Sequence, residues 1–468
     1  MASSASHNSA AFSIDEITRA TGGDARGCVG LQASGVFTDT RSPIAGGVFV
    51  ALRGERFDAH DFLPAAKAGG AAVLVVERGR SAPSGAPVVE VDDTSRALGD
   101  LAAAHRRRSS AAALAITGSV GKTSVKNLVG AICRQVAPTL VTEGNLNNQV
   151  GLPLTIFQLS PEHRFAVLEL GTSSPGEIAR LAGIALPDVA IITCIGSSHL
   201  EGLGSIEGVQ AEKGALFAAL GTRGIGVVNA LDPRVLAEAA RLTRERKITY
   251  GTEDADVRLR STHDQGPEGA AIVLDTPRGR VEARLRLVGA HQVSNALGAT
   301  AAALALGIEP AAIAAGIESV RPASGRMAPV AARCGALVLD DTYNANPESM
   351  RAAFETLASL ASASRRLVVL GEMLELGSES RAAHRALGEL VARIGVRGLV
   401  ACGPSAKDVA DSAVAGGLDA RSVSTFESSG AAAGEIGPMV RPDDVVLVKG
   451  SRGMRMERVV QALTEEAA

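Results

Sequence analysis

Tryptophan is absent from this chain of 468 residues, and aromatic residues make up only 3% of it. Base-stacking platforms and aromatic cages for cations both depend on such rings, so neither is expected here. No charge sign is in excess: 47 Lys and Arg stand against 50 Asp and Glu, a net charge of −3. A general nucleic-acid binder would show a basic surplus. The five cysteines, Cys28, Cys133, Cys194, Cys334 and Cys402, lie far apart with no C-x-x-C. That pattern reads as reduced thiols of a cytoplasmic protein, not as a disulfide frame or a zinc site. The opening MASSASHNSAAFS has no basic start and no apolar run, so no secretory signal is expected and about ten mobile residues are. Long apolar runs are missing too. The most membrane-like stretch, residues 295–317, is broken by Glu309 and Pro310, and predicts two buried helices, not a bilayer span.

What is present is ordinary globular usage, 46% apolar and 21% charged, on a length that suits about three domains. No internal repeat is visible. Residues 12–108 carry the short apolar runs GVFVAL, AAVLVV and PVVEV, with a helical stretch from Asp58, and predict a small α/β domain. The run His105-Arg106-Arg107-Arg108-Ser109-Ser110 reads as a polar linker or a solvated face. Residues 109–320 carry AAALAITG, FAVLELG, PDVAIITCIG and GIGVVNA, spaced by helical segments, which predicts a parallel sheet covered on both faces. Residues 257–289 alternate with period two around turn signals and predict an antiparallel insert at the edge of that sheet. Residues 321–468 carry ALVLDD, RLVVLG, GLVACG and DVVLVKG, a second open, Rossmann-like α/β sheet. Ligands of such sheets meet the loops at the carboxyl ends of the strands. Glu169, His199, Asp341 and Lys449 all fall at or just past such ends.

The strongest local signal is ITGSVGKTS, which follows an apolar strand and opens a helix. The backbone N–H groups of Gly118, Ser119, Val120, Gly121, Lys122, Thr123 and Ser124 can converge on phosphate oxygens at a helix N-terminus. Lys122 supplies a compact charge and Thr123 a hydroxyl for Mg²⁺. Ile116 stands where the longer phosphate-loop pattern has glycine, so this is the short G-x-x-G-K-T form. Lysine is otherwise scarce, seven against forty arginines, yet it occurs at 122, 213 and 449 inside apparent motifs. Glu169 beside the loop suits Mg²⁺, which takes few carboxylates and keeps phosphate oxygens and water. His199 reads either as a second metal ligand or as a structural histidine. Lys213 reads from spacing as a salt-bridged helix lysine; a desolvated amine could instead react with CO₂ to give an anionic carbamate.

These residues sit in an ordered series: TGSVGKTSVKNL, EGNLNNQVGLPLT, LELGTSSPGEI, SHLEGLGSIEGVQAEKGALF, GAHQVSNALGA, SGRM, DDTYNANPESM, GEMLELG and LVKGSRGMRME, preceded by TDTRSPIAGGVFVALRGERFDAHDF. The series resembles the Mur ligases, and within them the branch that adds D-alanyl-D-alanine, over nearly the whole chain. The resemblance implies a UDP-substrate domain, a central ATPase domain and a C-terminal domain that closes over ATP. It implies that Gly118 to Ser124, Asn295, Arg326 and Asp341 hold ATP. Thr123 and Glu169 would bind one Mg²⁺, with His199 and carbamylated Lys213 at a second. Thr40, Arg41, Asn145, Asn147, Asn148, Thr172, Ser173 and Ser174 would line the UDP-sugar path. Lys449, Ser451 and Arg452 would face the acceptor or the closing cleft. The family pattern is departed from at Thr172-Ser173-Ser174, at Gln292 and at Ala59.

The activity so implied is ATP-dependent joining of D-alanyl-D-alanine to UDP-N-acetylmuramoyl-tripeptide in peptidoglycan synthesis, by a cytoplasmic monomer with no membrane insertion and no nucleic-acid partner. Competing readings are a sister ligase that adds a single amino acid, a phosphate-loop switch that hydrolyses ATP without an acceptor, and a nucleotide-sugar-binding module without catalysis. The Asn-rich and DDTYNANP segments have no role in a switch, and the intact phosphate loop argues against a mere binding module.

Overall fold

The computed structural model describes residue 8 and residues 10–28, 30–54 and 57–465. Most of the opening segment for which the sequence predicts mobility lies outside these residues. Ala10, however, is fully buried, and its carbonyl accepts from Gly35 N.

The N-terminal unit begins with β1 (Ala11–Ser13) and α1 (Ile14–Thr21), followed by β2 (Asp24–Arg26), β3 (Gln32–Ser34), β4 (Val36–Phe37), β5 (Val48–Val50), α2 (Leu63–Ala68), β6 (Val73–Glu77) and β7 (Val88–Val91). β1 pairs with β3. The others form a five-stranded sheet of order β2-β7-β6-β5-β4, parallel except at β2. Val48–Val50 and Val73–Val76 are continuous buried apolar runs, β-branched or aromatic except at Leu74, as expected of strands covered on both faces.

α3 (Thr94–Arg108), capped by the Asp93 side chain on Arg96 N, leads to the central unit. Its last turn corrects one expectation. His105 to Arg108 is not a linker but the end of this helix, and Arg106 is 5% exposed. The Arg106 guanidinium donates to the carbonyls of Ala185 and Leu186 and pairs with Asp188 at 3.2 Å. Those carbonyls end a neighbouring helix and have no helical partners of their own. One buried arginine thus fastens the first unit to the second.

The central sheet runs β8 (Ala112–Thr117), α4 (Lys122–Arg134), β9 (Thr139–Val141), α5 (Gly151–Ile156), β10 (Phe165–Glu169), α6 (Glu177–Ala185), β11 (Val189–Ile192), α7 (Leu200–Leu203), α8 (Ile206–Ala218), β12 (Ile225–Asn229), α9 (Pro233–Ala239) and β13 (Lys247–Tyr250). Its order is β13-β12-β11-β8-β10-β9, all parallel, which brings the ends of β8, β10 and β11 side by side. β14 (Arg258–Asp264), β15 (Ala270–Thr276) and β16 (Gly279–Leu285) form an antiparallel sheet of their own. The expected antiparallel insert is therefore present as a separate sheet, and among the described residues the bridge Tyr250–Val257 joins it to β13, the edge strand of the central sheet. Its apolar face, Ile272, Leu274 and Val281, is buried in a core shared with α10 (Ala290–Ala305) and α11 (Pro310–Ser319). These are the two helices predicted around the Glu309-Pro310 break. α11 lies so close to α4 that a Cβ on Gly316 would strike the Ile132 backbone.

The C-terminal unit holds β17 (Ala328–Ala331), β18 (Leu337–Asp341), α12 (Pro347–Leu360), β19 (Arg366–Leu370), α13 (Ser380–Ile394), β20 (Gly398–Cys402), β21 (Val423–Phe426) and β22 (Val445–Lys449). The sheet order is β17-β18-β22-β19-β20-β21, parallel except at β17. The five cysteines are free, and no described helix is long and apolar enough to cross a membrane.

Candidate active site

The carboxyl-end loops of the two larger sheets line one cavity of about 530 Å³. On the central side, the chain leaves β8 at Thr117 and turns through Gly118, whose φ of 151° few side chains adopt. A Cβ there would also strike Thr193 Oγ1. Gly121, with φ of 86°, caps α4, and a Cβ on it would lie 2.5 Å from Asn295 Oδ1. The loop is braced from β11: Ser119 N donates to Cys194 O at 2.9 Å, and Ser119 Oγ exchanges hydrogen bonds with Gly196. Ser119 to Ser124 line the cavity. The Lys122 ammonium donates to Gly118 O at 2.6 Å, and burial pushes it below the usual lysine range.

Glu169 ends β10 in register with Ile116 of β8, at the level of the glycine turn. It is 3% exposed, accepts from Thr123 Oγ1 at 3.0 Å and Asn147 Nδ2 at 2.9 Å, and lies 3.9 Å from Lys126 Nζ. This oxygen set, one hydroxyl beside one carboxylate facing a cavity, fits Mg²⁺, which keeps water and phosphate oxygens as its other ligands. Asn145, Asn147 and Asn148 line the same wall. Thr172 and Ser173 line it as well, whereas Ser174 does not reach it. The loop they form is held by Glu177, which accepts from the Ser173 and Ser174 amides at 2.7 and 2.9 Å. Burial works to raise the Glu177 pKa; these amides and the neighbouring hydroxyls outweigh it and hold the carboxyl below its usual range.

His199 caps α7 with a left-handed backbone, and its Nδ1 lies 2.6 Å from Glu375 Oε2. A carboxylate on one ring nitrogen is the usual companion of a metal ligand on the other, so the geometry fits the metal role. Lys213 lies on α8, 1% exposed and off the cavity wall. It has no ion pair among the described residues, so the salt-bridged reading is corrected. Burial, then the charge of Lys122, pushes its pKa down to about 7. An amine in that range is part neutral at physiological pH and able to add CO₂.

The C-terminal rim faces this wall. Arg326 stacks on Tyr343, 3.7 Å from the ring centroid, and donates to Thr123 Oγ1 at 3.1 Å across the cleft. Asp341 ends β18, accepts from Met327 N at 3.1 Å, and pairs at 2.5 Å with Lys449, which ends β22 and is 2% exposed. Asn295 of α10 donates to Gln292 and lines the cavity. Besides Ser174 and Lys213, four more expected residues are elsewhere. Ser451 is buried, accepting from Leu374 N at 2.9 Å, and braces a loop behind the cavity. Arg452 is exposed and pairs with Glu457. Thr40 lies off the cavity in the N-terminal unit, beside Arg41, which is held on the exposed Asp39.

Sequence reasoning singled out neither Glu375, Tyr343, Lys126 nor Glu177. Two had a readable signal. Ser174 to Glu177 has the S-x-x-E spacing of a capping residue, and Lys126 is one helical turn past Lys122. Glu375 and Tyr343 lay within noted motifs, but their partners are remote in sequence.

Comparison with known proteins places this geometry. Residues 32–106 match the Mur ligase family catalytic domain, residues 116–303 the Mur ligase middle domain, and residues 325–452 the Mur ligase glutamate ligase domain. UDP-N-acetylmuramoyl-tripeptide--D-alanyl-D-alanine ligase of Escherichia coli (strain K12) is 37% identical over 457 residues, covering 97% of this chain and 98% of the relative. A crystal structure of MurF from Acinetobacter baumannii superposes with a TM-score of 0.90 at 33% identity, covering 98% of this chain and all of the other. MurF ligase from Thermotoga maritima, solved in complex with ADP, gives 0.80 at 28% identity, covering 92% and 96%. The chain belongs to the Mur ligase family, on its MurF branch.

Proposed function

We propose that the protein is a cytoplasmic, ATP-dependent ligase that joins D-alanyl-D-alanine to UDP-N-acetylmuramoyl-tripeptide, giving the pentapeptide precursor of peptidoglycan. The observation that carries this reading is the single cavity between two sheet rims. One rim is a phosphate loop with an adjacent carboxylate; the other brings Arg326, Asp341 and Lys449 to face it. That arrangement holds a nucleotide against a further reactant, and the scheme calls for no protein nucleophile.

The chemistry explains the need for such a cavity. A carboxylate resists attack because its charge repels nucleophiles and oxide is a poor leaving group. Its oxygen attacks the γ-phosphorus of ATP, the bond to the β-phosphate oxygen breaks, and ADP leaves. The resulting acyl phosphate is attacked by the dipeptide's amine, which gives up a proton, and phosphate departs as the amide forms. The enzyme's work is positioning and charge stabilisation. Two anions must approach, and Lys122 and Arg326 offset their repulsion. The backbone amides of Gly118 to Ser124 orient the phosphates, with Asn295 at the far end of the nucleotide. Thr123 and Glu169 would hold one Mg²⁺, and His199 with a Lys213 carbamate a second. Such ions supply charge neutralisation between phosphate and carboxylate oxygens. Asn145, Asn147, Asn148, Thr172 and Ser173 would receive the sugar-peptide substrate and Lys449 the acceptor side. Thr40 and Arg41 would contact the uridine portion from the N-terminal unit.

The test measures phosphate release and peptide length together, with ATP, Mg²⁺ and UDP-N-acetylmuramoyl-tripeptide, with and without D-alanyl-D-alanine. Phosphate release that requires the dipeptide, with stoichiometric pentapeptide, is expected. Nucleotide consumption with no lengthened product overturns the reading, and a preference for single amino acids assigns the chain to a sister ligase.

A further inference from the structure

Among the described residues, the His199 imidazole has one hydrogen-bond partner, and that partner belongs to the other domain. Nδ1 meets Glu375 Oε2 at 2.6 Å, and Nε2 has no protein partner. Both residues line the cavity. Both also have left-handed backbones, φ 55° at His199 and φ 64° at Glu375, a conformation unfavourable for a residue that carries a Cβ. Two such residues facing each other across one cleft indicate that the surrounding structure holds each side in place.

The Glu375 side is braced from several directions. Met373 N donates to His384 Nε2 at 3.0 Å, Leu374 N to Ser451 Oγ at 2.9 Å, and Ser451 N to Glu372 O at 2.9 Å. These bonds fix the loop immediately before Glu375 and give the buried Ser451 its role. As an exposed ion pair the contact would contribute little to stability. Its chemical effect is on the ring: a carboxylate that accepts from Nδ1–H leaves Nε2 with a free lone pair.

We propose that Glu375 is a positioning residue, supplied by the C-terminal domain, that holds His199 as the Nδ1–H tautomer and so presents Nε2 to a divalent cation. The histidine side of the cation site is then complete only when the C-terminal domain is docked. The cation itself rests on the ligase reading above; the tautomer does not.

The test uses the full chain. Nitrogen-15 histidine NMR of the metal-free, nucleotide-free protein reports the tautomer, with His199 assigned by loss of its signals in His199→Gln. Wild type is expected to show a protonated Nδ1 and an unprotonated Nε2. Glu375→Ala is expected to shift the ring towards Nε2–H, and Glu375→Gln, whose amide oxygen still accepts, to retain the wild-type pattern. Manganese titration by electron paramagnetic resonance, with a non-hydrolysable ATP analogue, is expected to show about 10- to 100-fold weaker binding of one ion in Glu375→Ala and near-normal binding in Glu375→Gln. A tautomer or a manganese affinity that does not move in Glu375→Ala overturns the proposal. Neither measurement needs an acceptor or a product, so a failed ligation assay would sink the ligase reading and leave this result to be judged separately.

Discussion

The two rims of the cavity solve the same problem, placing charge at the ends of parallel strands, by different means. The central rim uses backbone. Gly118 and Gly121 take positive φ, no Cβ fits at either, and the amides of the turn open onto a helix N-terminus. The C-terminal rim uses side chains on strand ends and short loops: Arg326 stacked on Tyr343, Asp341 paired with Lys449, Glu375 against His199. Backbone amides are fixed by the fold and serve an invariant ligand such as a phosphate chain. Side chains reach across a gap and take their final places only when two domains meet. The first rim therefore belongs to one domain, and the second acts only through contact with it.

The largest effect expected from breaking this contrast is at Lys122, the one long side chain on which the backbone rim depends. Lys122→Ala should abolish ligation, by about 10³-fold or more, with an unchanged thermal transition; undiminished product would remove the phosphate-loop assignment.

Lys213→Ala should lose nearly as much activity. Short carboxylic acids, which replace a missing anionic ligand, should restore part of it, and bicarbonate should not. The same lysine gives a pH signature. Burial lowers its pKa to about 7 in the folded chain from 10.5 for an unperturbed lysine, so between these limits the unfolded state binds more protons. Stability of the wild type should therefore rise with pH across that window. Lys213→Met should be the more stable protein, with its full advantage below pH about 7 and none near pH 10.5. Denaturant melts of both proteins from pH 6.5 to 10 check the sign.

On the side-chain rim, Tyr343→Leu removes the face on which Arg326 rests. A cation–π contact of this kind contributes about 1–2 kcal/mol, so KM for ATP should rise roughly tenfold and Tyr343→Phe should restore it. Equal ATP dependence in all three proteins would reduce Tyr343 to packing.

The smallest effect on catalysis, though not on stability, is expected away from both rims. Arg106→Ala leaves helix-end carbonyls without donors and should cost about 2–4 kcal/mol in chemical denaturation, while protein that remains folded keeps its kcat.

Much of this arrangement was legible in the residues. Continuous apolar runs announced covered parallel strands, and ITGSVGKTS announced the turn that follows the first strand of the central sheet. Glu169, Asp341 and Lys449 could be picked out because strand ends are where open α/β sheets meet ligands. The insert was recognised as antiparallel by its period of two, but its separation from the main sheet was not. Period two says which side chains share a face and nothing about which neighbour covers that face. The basic run at 105–108 read as a linker or a solvated face for a similar reason, and the buried place of Arg106 within it was not legible. A string of charges looks solvated until the helix carbonyls that take up Arg106 are known.

By itself the sequence determined what is local: strands, helices, the glycine turn, the carboxylate that ends β10, and the motif order that marks the family. Each of these depends on neighbours within a few residues, where steric limits and hydrophobic period act directly. Tertiary structure alone decided the pairs. Arg326 with Thr123, Lys449 with Asp341 and His199 with Glu375 join residues 203, 108 and 176 positions apart. So did it decide the lowered pKa of Lys213, because desolvation is a property of everything packed around a group and is written in no single stretch of chain.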